Sequence, residues 1–118
     1  MSQGRRRLGL RGEAAAEAFL TARGYRIIAR NYRCPLGELD LVARAEGSLV
    51  FIEVKTRRGG RAGSGGEAIS GHKRRRMMRL AAYYLAAHGL EGIPCRFDVV
   101  TLSVRPGSAR IHVWRNAF

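Results

Sequence analysis

Cysteine, histidine and acidic side chains are all scarce in this 118-residue chain, and each scarcity closes off a class of chemistry. Cys34 and Cys95 form no C-x-x-C pair and no zinc spacing, which points to reduced thiols in a cytoplasmic protein. His72, His88 and His112 make no H-E-x-x-H, and no Ser/His/Asp or Cys/His arrangement of a nucleophile is present. No apolar run approaches the ~18 residues of a membrane span, and the basic start, Met1 to Arg11, lacks the apolar centre of a secretory signal. Only nine residues are acidic against 22 basic ones, giving a net charge of +13 and a pI near 11.4.

That charge favours a polyanionic partner, nucleic acid first and an anionic membrane surface second. Twenty of the basic residues are arginine, and alanine and glycine are abundant, as genome composition alone can produce. Net charge, not the preference for arginine, therefore carries the inference. A 46% apolar content argues for a folded globule instead of a disordered basic tail. The length suits one domain over 1–118, burying roughly 65% of its extended surface, with residues 1–11 as a basic arm.

Apolar periodicity predicts a first helix over about Gly12–Arg23, with Ala15, Ala16, Phe19 and Leu20 as its stripe and Gly24 as its stop. Glu13 lies along that stripe, while Glu17 turns toward solvent. Extended patterns follow at Tyr25–Arg33, Leu36–Ala45 and Leu49–Thr56. Arg57 to Gly66 has five glycines and three arginines and reads as a mobile loop. A long helix runs from Glu67 or Ser70 to His88, with Met77, Leu80, Ala81 and Tyr84 toward the core. His72, Arg75, Arg76 and Arg79 share its opposite stripe, and the crowd of cations from Lys73 to Arg79 would repel itself unless phosphates lay against it. Two strands, Cys95–Val104 and Ala109–Trp114, close the chain. Asp98, between Phe97 and Val99, is best read as a partner for a neighbouring arginine. The order α-β-β-β-α-β-β predicts an α/β domain, a mixed sheet flanked by helices, with no internal repeat and no linker.

The chemistry-bearing residues sit on the central hairpin. A two-residue turn at Glu46-Gly47 sets a register in which paired positions sum to 93, so Asp40 falls opposite Glu53. Lys55 is two residues beyond Glu53, on the same face, and Glu38 alternates onto that face as well. Opposed carboxylates repel and destabilise a sheet. A divalent cation held between them reverses that sign; a salt bridge from Lys55 is the competing explanation.

The full set of motifs then resembles a known family over essentially the whole chain. It comprises Gly12-Glu13, Gly24-Tyr25, Arg30-Asn31-Tyr32-Arg33, Gly37-Glu38-Leu39-Asp40-Leu41, Phe51-Ile52-Glu53-Val54-Lys55-Thr56-Arg57, Arg96-Phe97-Asp98-Val99-Val100 and Asn116-Ala117-Phe118. Together they look like the YraN family, whose arrangement is similar to archaeal-type Holliday junction resolvases within the restriction-endonuclease-like, PD-(D/E)xK, superfamily. Leu39 stands where that signature has proline. The resemblance implies a restriction-endonuclease-like fold and a magnesium- or manganese-dependent endonuclease. Asp40, Glu53 and the Val54 carbonyl would be metal ligands, with Glu13 direct or through water and Glu38 as an auxiliary. Lys55 would activate the attacking water. Arg57, Arg58, Lys73, Arg75, Arg76 and Arg79 are the expected nucleic-acid contacts.

DNA, branched or otherwise structured, is favoured over RNA, and the resolvase likeness implies a two-fold homodimer. Two other classes compete. A module of the same fold could bind nucleic acid without cutting it. A basic membrane-surface or ribosome-associated protein would explain the charge but not the carboxylates.

Overall fold

The computed structural model describes residues 3–58 and 70–118, with side chains over 12–57 and 70–118. Most of the glycine-arginine loop, 59–66, and the alternative helix start Glu67 lie outside these residues. Helix α1 spans Gln3–Ala22. The segment expected as a basic arm is thus, from Gln3, the first half of this helix. Apolar periodicity marks only the second half, whereas Gln, Arg and Leu favour helix without it. The C-terminus of α1 follows from Gly24, whose φ of +91° permits a Schellman ending. The N–H of Tyr25 donates to Leu20 O at 3.1 Å and that of Gly24 to Thr21 O at 3.1 Å.

Strands β1 (Arg26–Cys34), β2 (Gly37–Ala45) and β3 (Ser48–Arg58) follow, then α2 (Gly71–Ala87), β4 (Cys95–Arg105) and β5 (Ser108–Trp114). The five strands form one sheet in the order β1-β2-β3-β4-β5. Every pairing is antiparallel except β3–β4. A parallel neighbour requires a crossover, and α2 supplies it. The hairpin register is the expected one, with Leu41 opposite Ile52, Val42 opposite Phe51 and Ala45 opposite Ser48. Glu46 and Gly47 both take positive φ, 52° and 78°, as a two-residue hairpin turn of the twisted kind requires.

Helices cover both faces. Ala16 and Leu20 of α1 pack with Leu41, Ala43, Val50, Ile52 and Val100. Leu80, Ala81 and Tyr84 of α2 pack with Leu39, Val42, Leu49 and Phe51. The apolar runs of β2 and β3 are explained by this double burial. Met77, Leu80, Ala81 and Tyr84 form the buried stripe of α2, as the periodicity predicts.

Gly12 sets how closely α1 approaches the sheet. A Cβ at that position would lie 2.1 Å from Thr56 Oγ1 and 3.2 Å from Leu102 Cδ2. Asp98 is fully buried and each oxygen is satisfied. Arg96 donates Nε to Oδ1 and Nη2 to Oδ2, both at 2.9 Å. Tyr25 Oη donates to Oδ2 at 2.7 Å and the Asn116 N–H to Oδ1 at 3.0 Å. A buried carboxylate so paired ties the α1–β1 junction, β4 and the C-terminal segment together, in agreement with its expected structural role.

Candidate active site

The β2–β3 ladder ends at Leu41–Ile52. One residue further, the Asp40 side chain enters the gap, and Oδ2 accepts the Val54 N–H at 2.8 Å. Asp40 thus stands in for a backbone acceptor and lets β2 leave β3. In an extended strand the N–H and C=O of one residue project to the same edge. The Val54 carbonyl therefore faces the Asp40 gap, where a ligand role would need it.

The neighbouring pair shows why the strands part here. Leu39 packs on the α2 side of the sheet, while Leu41, Ala43 and Ala45 pack on the α1 side. Residues two apart on a regular strand share a face, so alternation breaks at Asp40. On β1 the register passes from Arg30–Leu41 to Tyr32–Leu39, around Asn31, which has a φ of 49°. Both strands therefore turn over at the same rung. Asparagine is among the side chains that enter the left-handed region most readily.

With its amide nitrogen directed at acceptors, Asn31 donates to Glu13 Oε2 at 3.1 Å and to Glu38 Oε1 at 3.2 Å. Simple alternation would put Glu38 beside Glu53. Beyond the break it instead joins Asn31 and Glu13, with Arg33 Nε 3.7 Å from its Oε2. Four of the nine acidic residues, Glu13, Glu38, Asp40 and Glu53, consequently gather at one end of the sheet of a basic protein.

Electrostatics register the crowding. Burial, then the charge of Glu53, pushes the Asp40 carboxyl up to about 7, and a hydrogen bond between the two carboxyls and the charge of Glu13 add to this. The Val54 N–H opposes it. Burial first, and the charge of Glu38 second, raise the Glu13 carboxyl above the usual range, against the Asn31 bond. Lys55 is lowered by burial, then by Lys73 and Arg57, while Glu53 acts the other way. Asp40, Glu53, Lys55 and Glu13 therefore share one electrostatic neighbourhood.

The cationic residues divide. His72, Arg75, Arg76 and Arg79 are exposed on α2, and Arg57 is exposed on β3; the Arg58 side chain lies outside the described residues. Lys73, expected with them, turns inward: its Nζ is 2.8 Å from Glu53 Oε2. The contact is an ion pair without an aligned hydrogen bond, since Oε2 is a buried oxygen on which no donor is directed. Asn31 and the inward Lys73 are the two site residues the motif pattern did not single out as such. Asn inside a strand and a lone lysine among arginines are the signals that could have marked them.

Whether a divalent cation fits can be judged from the donors. They are all oxygens, from Asp40, Glu53 and the Val54 carbonyl, which suits magnesium or manganese over zinc. Glu53 Oε2 has acceptor capacity left over. Among the described residues no three carboxylate, imidazole or thiol groups are already gathered for chelation. Two carboxylates and a carbonyl would thus be its protein ligands, leaving the remainder to water, as magnesium prefers. The group fits.

At the other end of the sheet lies a cavity of about 540 Å³ lined in part by Phe19, Arg23, Tyr25, Glu46 and Arg115. None of the clustered carboxylates borders it.

A five-stranded mixed sheet between two helices, carrying paired carboxylates and a lysine where two strands part, defines the structural class. Comparison of sequences gives the family. The profile of the uncharacterised protein family UPF0102 matches residues 12–102. A UPF0102 protein of Symbiobacterium thermophilum is 57% identical over 114 residues, 96% of this chain and 97% of its own length. One from Moorella thermoacetica is 52% identical over the whole of both chains, and one from Roseiflexus castenholzii 51% identical over 88% of this chain and 85% of its own. The chain belongs to UPF0102, the YraN family.

Proposed function

We propose that this protein is a magnesium- or manganese-dependent endonuclease that hydrolyses DNA phosphodiester bonds, with branched or structured DNA as its substrate class. The observation that carries this reading is the mutual proximity of Asp40, Glu53 and Lys55 beside a cationic helix. Two carboxylates forced together in a basic protein cost stability unless a cation offsets them. Asp40, Glu53 and the Val54 carbonyl would hold that cation, with Glu13 at one remove. When bound it supplies positive charge to the scissile phosphate and to the departing oxygen.

The rest is done by the chain itself. Lys55, partly buried and next to Glu53, orients the attacking water and offsets charge gathering on the phosphate oxygens. The water gives up one proton to solvent as its oxygen adds to phosphorus in line, the opposite P–O bond breaks, and the leaving oxygen takes a proton from solvent. Arg57 and the exposed arginines of α2 hold flanking phosphates and position the strand.

A binding module that does not cut is the second reading. It is favoured by the ion pair between Lys73 and Glu53, which satisfies part of the site without metal. The deciding experiment offers supercoiled, single-stranded and branched DNA, and RNA, to the purified protein with each metal. Wild type nicks DNA, while Glu53→Ala and Lys55→Ala do not, with DNA affinity changed less than about twofold because phosphate contacts dominate it. If wild type and both variants behave alike on every substrate, the enzyme reading is lost and the binding module stands.

A further inference from the structure

Lys73 poses a physical question that the proposed reaction leaves unanswered. It lies in the first turn of α2, where the helix dipole disfavours a cation, and that turn holds no acidic residue to compensate. Its backbone is fixed there: the Lys73 N–H donates to Ser70 Oγ at 3.2 Å, and the Arg74 N–H to Ser70 O at 2.9 Å. The side chain runs away from the exposed arginines of the same helix and ends 2.8 Å from Glu53 Oε2. It also sits close enough to Lys55 to disfavour a second ammonium there. A lysine set against a helix dipole and beside another lysine is held by the Glu53 charge.

The oxygen it meets is a proposed ligand oxygen. Lys73 reaches it as a point charge, without the aligned hydrogen bond that would fix it. A hard divalent cation at Asp40 and Glu53 would take over that oxygen and repel the ammonium beside it. We propose that Lys73 is a built-in counter-cation of Glu53 that exchanges with the divalent metal. Released, its ammonium stands at the start of the helix that carries Arg75, Arg76 and Arg79, where it joins Lys55 in meeting the phosphate brought to the site. Lys73 is thus a positioning residue that couples metal entry to substrate charge. This inference rests on the reading that Asp40 and Glu53 take a divalent cation.

The test measures Mn²⁺ binding by titration calorimetry on the full chain, comparing wild type, Lys73→Met, Lys73→Gln and Glu53→Gln. Removing a competing charge should tighten Mn²⁺ binding about tenfold in both Lys73 variants, a change a merely structural lysine would not produce. Glu53→Gln should lose binding. In parallel, the Lys73 side-chain NMR signals of wild type should shift during a Mg²⁺ titration. Equal or weaker Mn²⁺ binding by folded Lys73 variants, or Lys73 signals that do not move as Mg²⁺ saturates wild type, overturns the exchange while leaving the metal site intact. If no protein in the set binds Mn²⁺, the metal site itself fails, and the exchange with it. Circular dichroism checks folding of the variants, and the wild-type NMR titration tests the exchange even if both unfold.

Discussion

At the scale of single residues, Asp40 carries the conflict between folding and function. Its carboxyl is pushed up to about 7, first by burial and then by Glu53, whereas in an unfolded chain it titrates near 3.8. Between those values the folded protein binds more protons than the unfolded one, so stability falls as pH rises through the window. Without added metal, urea midpoints should therefore decline from about pH 4 to about pH 7 on account of this group. Asp40→Asn should flatten that part of the profile and stabilise the protein at neutral pH, while removing a ligand. A midpoint profile that is identical in wild type and Asp40→Asn would show that the carboxyl is not strained. The gain in stability with loss of function is what a site built from mutually repelling groups should give.

Elements place that residue, and much of their arrangement was legible in the sequence. Glu46-Gly47 between apolar runs fixed the hairpin register, and the helical spacing of Met77, Leu80, Ala81 and Tyr84 fixed the inward face of α2. Those signals are local, so pattern alone exposes them. The first half of α1 was hidden because it lacks the apolar spacing by which packed helices are recognised. The turnover of β1 and β2 at Asn31 and Asp40 was hidden as well, since strict alternation is assumed wherever a strand is drawn. Strict alternation puts Glu38 on the face of Glu53, whereas in the structure Asn31 draws it toward Glu13 on α1. The inward turn of Lys73 depends on Glu53 being within reach, a tertiary fact that no helical stripe encodes.

Helix placement offers its own test. Glu13 can approach the site only because its neighbour Gly12 lets α1 lie against Thr56 and Leu102. Gly12→Val would force the helix outward and should destabilise the fold by about 1–3 kcal/mol, the usual range for an overpacked interior. Because Thr56 follows Lys55 directly, the same shift should disturb the site more than a distant lesion of equal cost. Chemical denaturation gives the first quantity, and Mn²⁺ affinity at matched fraction folded gives the second. Unchanged stability would mean that α1 does not pack as closely as the backbone places it.

At the scale of the whole molecule the charges are separated by function. A net +13 would favour a polyanion, yet the four gathered carboxylates would repel any phosphate that reached them directly. On the proposed function, docking would therefore need cations on both sides of that acidic cluster: a metal with Lys55 within it, and arginines flanking it to hold the strand. Among the described residues Arg75, Arg76 and Arg79 stand exposed on α2, the helix whose first turn touches Glu53 through Lys73. Each phosphate they neutralise releases counterions, so the logarithm of the binding constant falls with the logarithm of salt by about 0.9 per phosphate. Replacing all three arginines by alanine should weaken binding and shallow that slope by up to about 0.9 for each phosphate no longer held. Fluorescence anisotropy of a labelled DNA between roughly 50 and 200 mM salt covers the range over which such slopes are large. Lys55→Ala, by contrast, should shallow the slope by at most about 0.9, the share of a single phosphate, because in the proposed reaction that partly buried lysine meets the scissile phosphate alone. An unaltered slope in the triple variant would remove α2 from the binding face and move the strand's path to another surface of the protein.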